Sequence, residues 1–138
     1  MKFHIIGGIC LLLAIMIISC QDEKTIEYRR LYVEGGEIYR SHCQNCHGSK
    51  GEGLLALIPP LTDTLALRSH QTSLPCVVKF GLKGPVTVAG KQFEEKMPAA
   101  DLTPIQIAQV AIYVSNSFGN KNGFMSEDEV QKALNNCK

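Results

Sequence analysis

The chain has 138 residues, 45% hydrophobic and 20% charged, with 14 Lys and Arg against 13 Asp and Glu. That length suits one globular domain. The balance of charge, with no basic cluster or long single-sign run, excludes a nucleic-acid footprint and leaves the partner unnamed by electrostatics.

Lys2 precedes a nearly unbroken apolar stretch, Ile5 to Ile18. It falls short of the roughly 20 residues a transmembrane helix needs. It suits the apolar core of a secretory leader. The stretch ends in Ile17-Ile18-Ser19-Cys20, which resembles a bacterial lipobox with Ile17 in the place of the usual leucine. That resemblance implies cleavage after Ser19 and acylation of Cys20, placing the domain on the periplasmic side of the cell envelope, held to a membrane by lipid. The alternative is an uncleaved anchor helix, which leaves the domain on the same side. The weakly acidic flank Gln21-Asp22-Glu23 resembles signals for display at the cell surface. The expected organisation is leader 1–19, lipidated Cys20 with a polar tether over 20–30, and one domain over 31–138. Loss of the leader removes Lys2 and brings basic and acidic side chains to 13 each.

Val33 to His42 reads as a first helix, with Gly35 and Tyr39 four apart on one face. It runs into Cys43-Gln44-Asn45-Cys46-His47, a Cys-x-x-Cys-His run, which is the attachment motif of c-type haem. Thiols three positions apart can add to the two vinyl groups of one porphyrin, and the adjacent histidine then supplies the proximal imidazole. A half zinc site or a thioredoxin-like dithiol are the alternatives. Zinc lacks a second Cys-x-x-Cys, since only His47, His70 and Cys76 remain downstream as nearby candidates. The dithiol lacks a βαβ setting.

Glycines 48, 51 and 53 mark a loop, and no Walker pattern accompanies them. Pro59 and Pro60 follow. Thr62 to Arg68 and Ser73 to Gly81 read as short helices, the second with Ser73 as cap, Pro75 in its first turn and Gly81 as its stop. His70, between them, reads as a solvated loop residue. Val86-Thr87-Val88, a turn at Ala89-Gly90 and Lys91-Gln92-Phe93 suggest a two-stranded ribbon. Lys96-Met97-Pro98 precedes a helix from Pro104 to about Ser117, capped by Thr103 and apolar over a wide face. Asn120 to Glu129 does not make a calcium loop, because alignment on Gly123 puts Phe118 at the first ligand position. Ser126 with Glu129 is a capping box for a last helix that turns Val130 and Leu134 inward.

Gly35/Tyr39, the Cys43–His47 motif, the proline pair, Met97-Pro98 and the Leu102-Thr103-Pro104 helix start together resemble class I monohaem cytochromes c, over residues 31–119. The resemblance implies an all-α cytochrome c-like fold wrapped around one covalent haem c. Cys43 and Cys46 would carry the thioethers, and His47 and Met97 the axial positions. Pro59, with Pro60 as runner-up, would offer its carbonyl to the imidazole. Val110 and Tyr113 would cross at Gly35 and Tyr39. Met125 is a poorer axial candidate, and a core role for Met97 is the plainer alternative. The implied function is one-electron transfer between respiratory-type redox partners, with no substrate transformed. A haem sensor with a labile sixth ligand is the alternative. The ribbon and the cysteine-bearing C-terminal extension depart from the family pattern. Cys76 and Cys137 lie outside the haem motif in an oxidising compartment and are expected to pair, with free thiols or intermolecular cross-links as alternatives.

Overall fold

The computed structural model describes residues 23–137, together with Ile6 and Gly8. The expected leader, its cleavage site and the acylated Cys20 lie outside the described residues. The first helix, α1 (Glu23–His42), begins well before Val33. The segment expected to be a tether is thus helical from Glu23 onward. Its residues explain this: Glu, Lys and Arg favour helix, Leu31 is fully buried, and Tyr28 stacks on Tyr32 one turn on, with ring centroids 5.9 Å apart. No described helix is long and apolar enough to cross a membrane.

The remaining elements are α2 (Gln44–His47), α3 (Thr64–Ser69), α4 (Leu74–Phe80), β1 (Val86–Val88), β2 (Lys91–Phe93), α5 (Pro104–Ser115) and α6 (Glu127–Asn135). The fold is helical with one antiparallel ribbon, Val86 opposite Phe93 and Val88 opposite Lys91. Ala89 and Gly90 both take positive φ, 51° and 73°. That is the backbone a two-residue hairpin turn needs to match strand twist.

The core lies where α1 crosses α5. Ile107, Ala108, Val110, Ala111, Ile112 and Val114 of α5 are all buried, as are Leu31, Ile38 and Tyr39 of α1. A Cβ on Gly35 would collide with the Gln109 carbonyl oxygen and lie 2.9 Å from Tyr113 Cβ. The crossing therefore places Gln109 and Tyr113 on Gly35, where Val110 was expected with Tyr113. Val110 is instead turned into the core and the cavity described below. The Gln109 side chain reaches Glu34 across the crossing.

Short polar caps set the helix ends. Asp63 accepts from Ala66 N at 2.9 Å at the start of α3. Ser126 and Glu129 exchange hydrogen bonds at the start of α6. Ser73 does not cap α4 as expected: its own φ and ψ are helical, and its hydroxyl donates back to His70 O at 2.9 Å. A disulfide joins Cys76 of α4 to Cys137, just past α6, closing a loop of 61 positions.

Candidate functional site

The Cys43–His47 motif is built onto the end of α1. Cys43 N bonds Tyr39 O at 2.9 Å, so the chain leaves α1 without losing its helical register. His47 N then bonds Cys43 O at 2.9 Å, and a single helical turn holds both thiols and the imidazole together. Tyr39 is fully buried, and its hydroxyl donates to Gly48 O at 2.6 Å. The glycine loop folds back on the motif through Gly53 N to His47 O, 2.8 Å, and Leu61 N to Gly51 O, 2.7 Å. Gly51 takes φ +67° with the Phe118 ring against it, where a Cβ would stand 2.7 Å from the ring. A side chain there would push the loop off its support.

His47 is buried and its Nδ1 stands 3.2 Å from Pro59 O. With Nδ1–H donated to that carbonyl, Nε2 is the nitrogen left to bind a metal. Burial holds the imidazole below its ordinary pKa, with the Pro59 carbonyl acting in the opposite direction. Burial thus favours the uncharged ring, the form a metal ligand must have. Cys43 and Cys46 are free thiols. Burial, and then the neighbouring Cys46, push the Cys43 thiol up to about 11.

Met97 comes from the far end of the domain but is fixed by backbone. Leu82 N bonds Met97 O at 3.0 Å, and Met97 N bonds Leu82 O at 3.1 Å. Ala100 N bonds Val78 O at 3.0 Å, and Lys79 Nζ reaches Leu102 O at 2.9 Å. Gly81, at φ +73°, lets this strand lie directly on the end of α4, since a Cβ there would stand 2.8 Å from Ala99 N.

These walls enclose an apolar cavity of about 400 Å³. Cys43, Cys46, His47, Pro59 and Met97 all line it, among Leu67, Leu74, Val77, Val78 and Val110. His70 also reaches its edge, though it is exposed. Among the described residues no group of three or more His, Cys, Asp or Glu converges on a point. The described residues therefore offer no set of four such ligands for zinc. Two thiols, an imidazole and a thioether around an apolar cavity suit a flat, largely apolar metallocycle held at its edge and its metal.

A family model described as cytochrome C oxidase, cbb3-type, subunit III matches residues 31–114. The chain belongs to this cytochrome c family. Its domain is thus a c-type cytochrome, whose covalently bound haem serves electron transfer. The matched span runs from Leu31 of α1 to the last turn of α5. It leaves out the first turns of α1 and all of α6. No curated protein matches the chain.

The cytochrome c domain has one support that the sequence did not suggest. Asn120 is buried, and its Nδ2 donates to Leu61 O at 2.7 Å and Val114 O at 3.3 Å. Both of those residues line the cavity. Asn116 similarly exchanges two hydrogen bonds with Gly123, at 2.8 and 3.0 Å. An asparagine in a polar loop gives no pattern from which burial can be read; only its neighbours in space reveal it. Asn120→Ala should strip the donor from the Leu61 and Val114 carbonyls and destabilise the domain by about 2 kcal/mol. Urea unfolding of the purified protein measures this, and an unchanged midpoint would assign the loop no such role.

Proposed function

We propose that this protein is a monohaem cytochrome c that passes single electrons between respiratory-type partners outside the cytoplasm, with no substrate transformed. Cys43 and Cys46 would carry the haem as thioethers, and His47 Nε2 and Met97 Sδ would be the ligands to its iron. The observation that carries this is the gathering of all four side chains around one apolar cavity. When bound, the haem iron supplies a one-electron couple.

The chain's residues then do the rest. Pro59 O holds the imidazole in one tautomer and orientation, so the ring need not reorganise as charge changes. The backbone pairing of Leu82 with Met97 fixes the chain that carries the thioether, and a thioether ligand would raise the potential relative to a second imidazole. Val77, Val78, Leu74 and Leu67 exclude water, which further resists the more highly charged state. Cys46 is exposed, so the thioether edge lies near solvent, where a partner can approach. Acylated Cys20 keeps the domain at a membrane. A terminal oxidase of the kind named in the family's description is one acceptor class compatible with this reading.

Expression alongside a working cytochrome c maturation system tests the proposal. The expected product retains its haem through acid extraction and gives a c-type pyridine haemochrome of one haem per chain. Absence of that spectrum overturns the reading. The reduced protein should refuse carbon monoxide, whereas Met97→Ala should bind it and show a lower potential. Rapid, tight carbon monoxide binding by the unmodified protein would instead favour a haem sensor with a labile sixth ligand.

A further inference from the structure

The helix α1 begins at Glu23, and only Gln21 and Asp22 stand between Glu23 and Cys20 in the sequence. Three peptide links reach about 11 Å at full extension. An acyl group on Cys20 would therefore hold the first turn of α1 close against the bilayer. The helix has 20 residues and spans about 30 Å. Standing upright, it would lift the Cys43–His47 motif that far from the membrane. Lying flat, it would keep the motif low.

The outer face of α1 favours the second posture. Ile26 and Val33 are seven apart, on one side of the helix, and are 54% and 65% exposed. Arg29 and Arg30 lie between them in sequence and are exposed as well. Glu37 and Arg40 continue the face and pair with each other. Among the described residues, Arg29 and Arg30 engage no carboxylate. Glu23 stands at the edge, so the face keeps a net positive charge. Open apolar side chains beside free guanidinium groups are what a helix needs to lie in a membrane interface. A guanidinium also suits phosphate, since its planar fork grips two oxygens at once. Two apolar and two cationic contacts would hold a free protein only weakly. The lipid on Cys20 makes the docking intramolecular, at an effective concentration in the millimolar range, so weak contacts suffice.

We propose that the outer face of α1 docks on an anionic phospholipid surface, with Ile26 and Val33 in the acyl boundary and Arg29 and Arg30 on headgroup phosphates, so that the domain lies on its side. The inference rests on the acylation of Cys20 put forward above. It turns the lipid from a simple leash into an orienting device. The far end of α1, where the Cys43–His47 motif begins, then stays low over the bilayer, within reach of redox partners embedded in it.

The test adds the acylated holoprotein to vesicles of phosphatidylcholine, with and without phosphatidylglycerol. Mass spectrometry fixes the acylation of Cys20, and pyridine haemochrome the haem content. The native cysteines are then acylated, in thioethers or in the Cys76–Cys137 bridge, so a thiol introduced by Val33→Cys can be read with a water-soluble maleimide. The expected result is that phosphatidylglycerol slows its modification about tenfold. Ile26→Cys should be slowed likewise, while Lys91→Cys, exposed on the ribbon, keeps its rate. Arg29→Gln combined with Arg30→Gln should restore fast modification of Val33→Cys. Protection of Ile26→Cys alone would mean an upright helix and overturns the proposal. Protection that survives loss of both arginines, or that extends to Lys91→Cys, overturns it too. Equal modification of Val33→Cys on both vesicles, in protein shown to be acylated, removes this inference only and leaves the face to a protein partner. An unacylated Cys20 removes the lipid assignment itself, and the inference with it.

Discussion

Gly35→Ala should lower stability by about 3 kcal/mol, enough to move the thermal midpoint of a domain this size by roughly 10 °C. Helix propensity points the other way: alanine inside a helix is favoured over glycine by about 1 kcal/mol. Position 35 reverses that sign. The added Cβ would stand 2.6 Å from the Gln109 carbonyl carbon and 2.9 Å from Tyr113 Cβ. Both neighbours belong to the opposing helix, and neither is the flexible end of a side chain. Relief requires α1 and α5 to separate, which opens contacts along a seam of fully buried residues. It also moves Tyr39, whose hydroxyl supports Gly48 beside His47. Gly36 is the internal control. Its Cβ would meet only the edge of the Tyr113 ring, at 3.1 Å, and a small ring movement accommodates it. Gly36→Ala should therefore be nearly neutral. Chemical denaturation of both variants separates the cases, and equal midpoints would show that the crossing is not held at Gly35.

The helix crossing was legible because it depends on residue type at fixed spacing. A glycine and an aromatic four apart, leading into Cys-x-x-Cys-His, restrict what the helix can pack against. The ribbon was legible for a similar reason: two short β-prone runs flank Ala89-Gly90, and the strands fall at Val86–Val88 and Lys91–Phe93. The start of α1 was not legible, because Glu23–Arg30 has no apolar period of its own. Its helix-favouring residues carry no periodic signal, and the contacts that fix it, Tyr28 with Phe124 and buried Leu31, are made with distant parts of the chain. The choice of Gln109 over Val110 at the crossing was hidden for another reason. At so close an approach the contact is made by backbone, and a polar side chain can reach out to Glu34 while its own carbonyl packs against Gly35.

The site divides in the same way. The thiols and imidazole are adjacent in sequence, so a single motif places all three. Met97 reaches the same cavity only through the pairing of Leu82 with Met97 and the close approach at Gly81. No local signal in Lys96-Met97-Pro98 specifies that geometry. Asn120 is more hidden still, since its role is to satisfy carbonyls from two distant segments.

Removing the Cys76–Cys137 bridge, by serine at both positions, should cost about 4 kcal/mol by the chain-entropy argument for a closed loop of this length. The loss arises mainly in the unfolded chain, which regains the freedom that closure over 61 positions denied it. The folded state has little to offset that loss at its C-terminal end. Only Val130 of α6 is fully buried, with Ala133 and Leu134 half-buried beside it. Burying one valine contributes about 2 kcal/mol, too little to hold a nine-residue helix against its own ordering entropy. The serine pair should therefore release α6 before the rest of the domain unfolds. Hydrogen exchange would show this as selective loss of protection in Glu127–Asn135, together with a lower urea midpoint. The consequence should reach the site, because Leu74, Val77 and Val78 of α4 line the cavity while Cys76 of the same helix holds the bridge. If the serine pair keeps both its α6 protection and its midpoint, packing alone secures the extension and the bridge has no part in shaping the cavity wall.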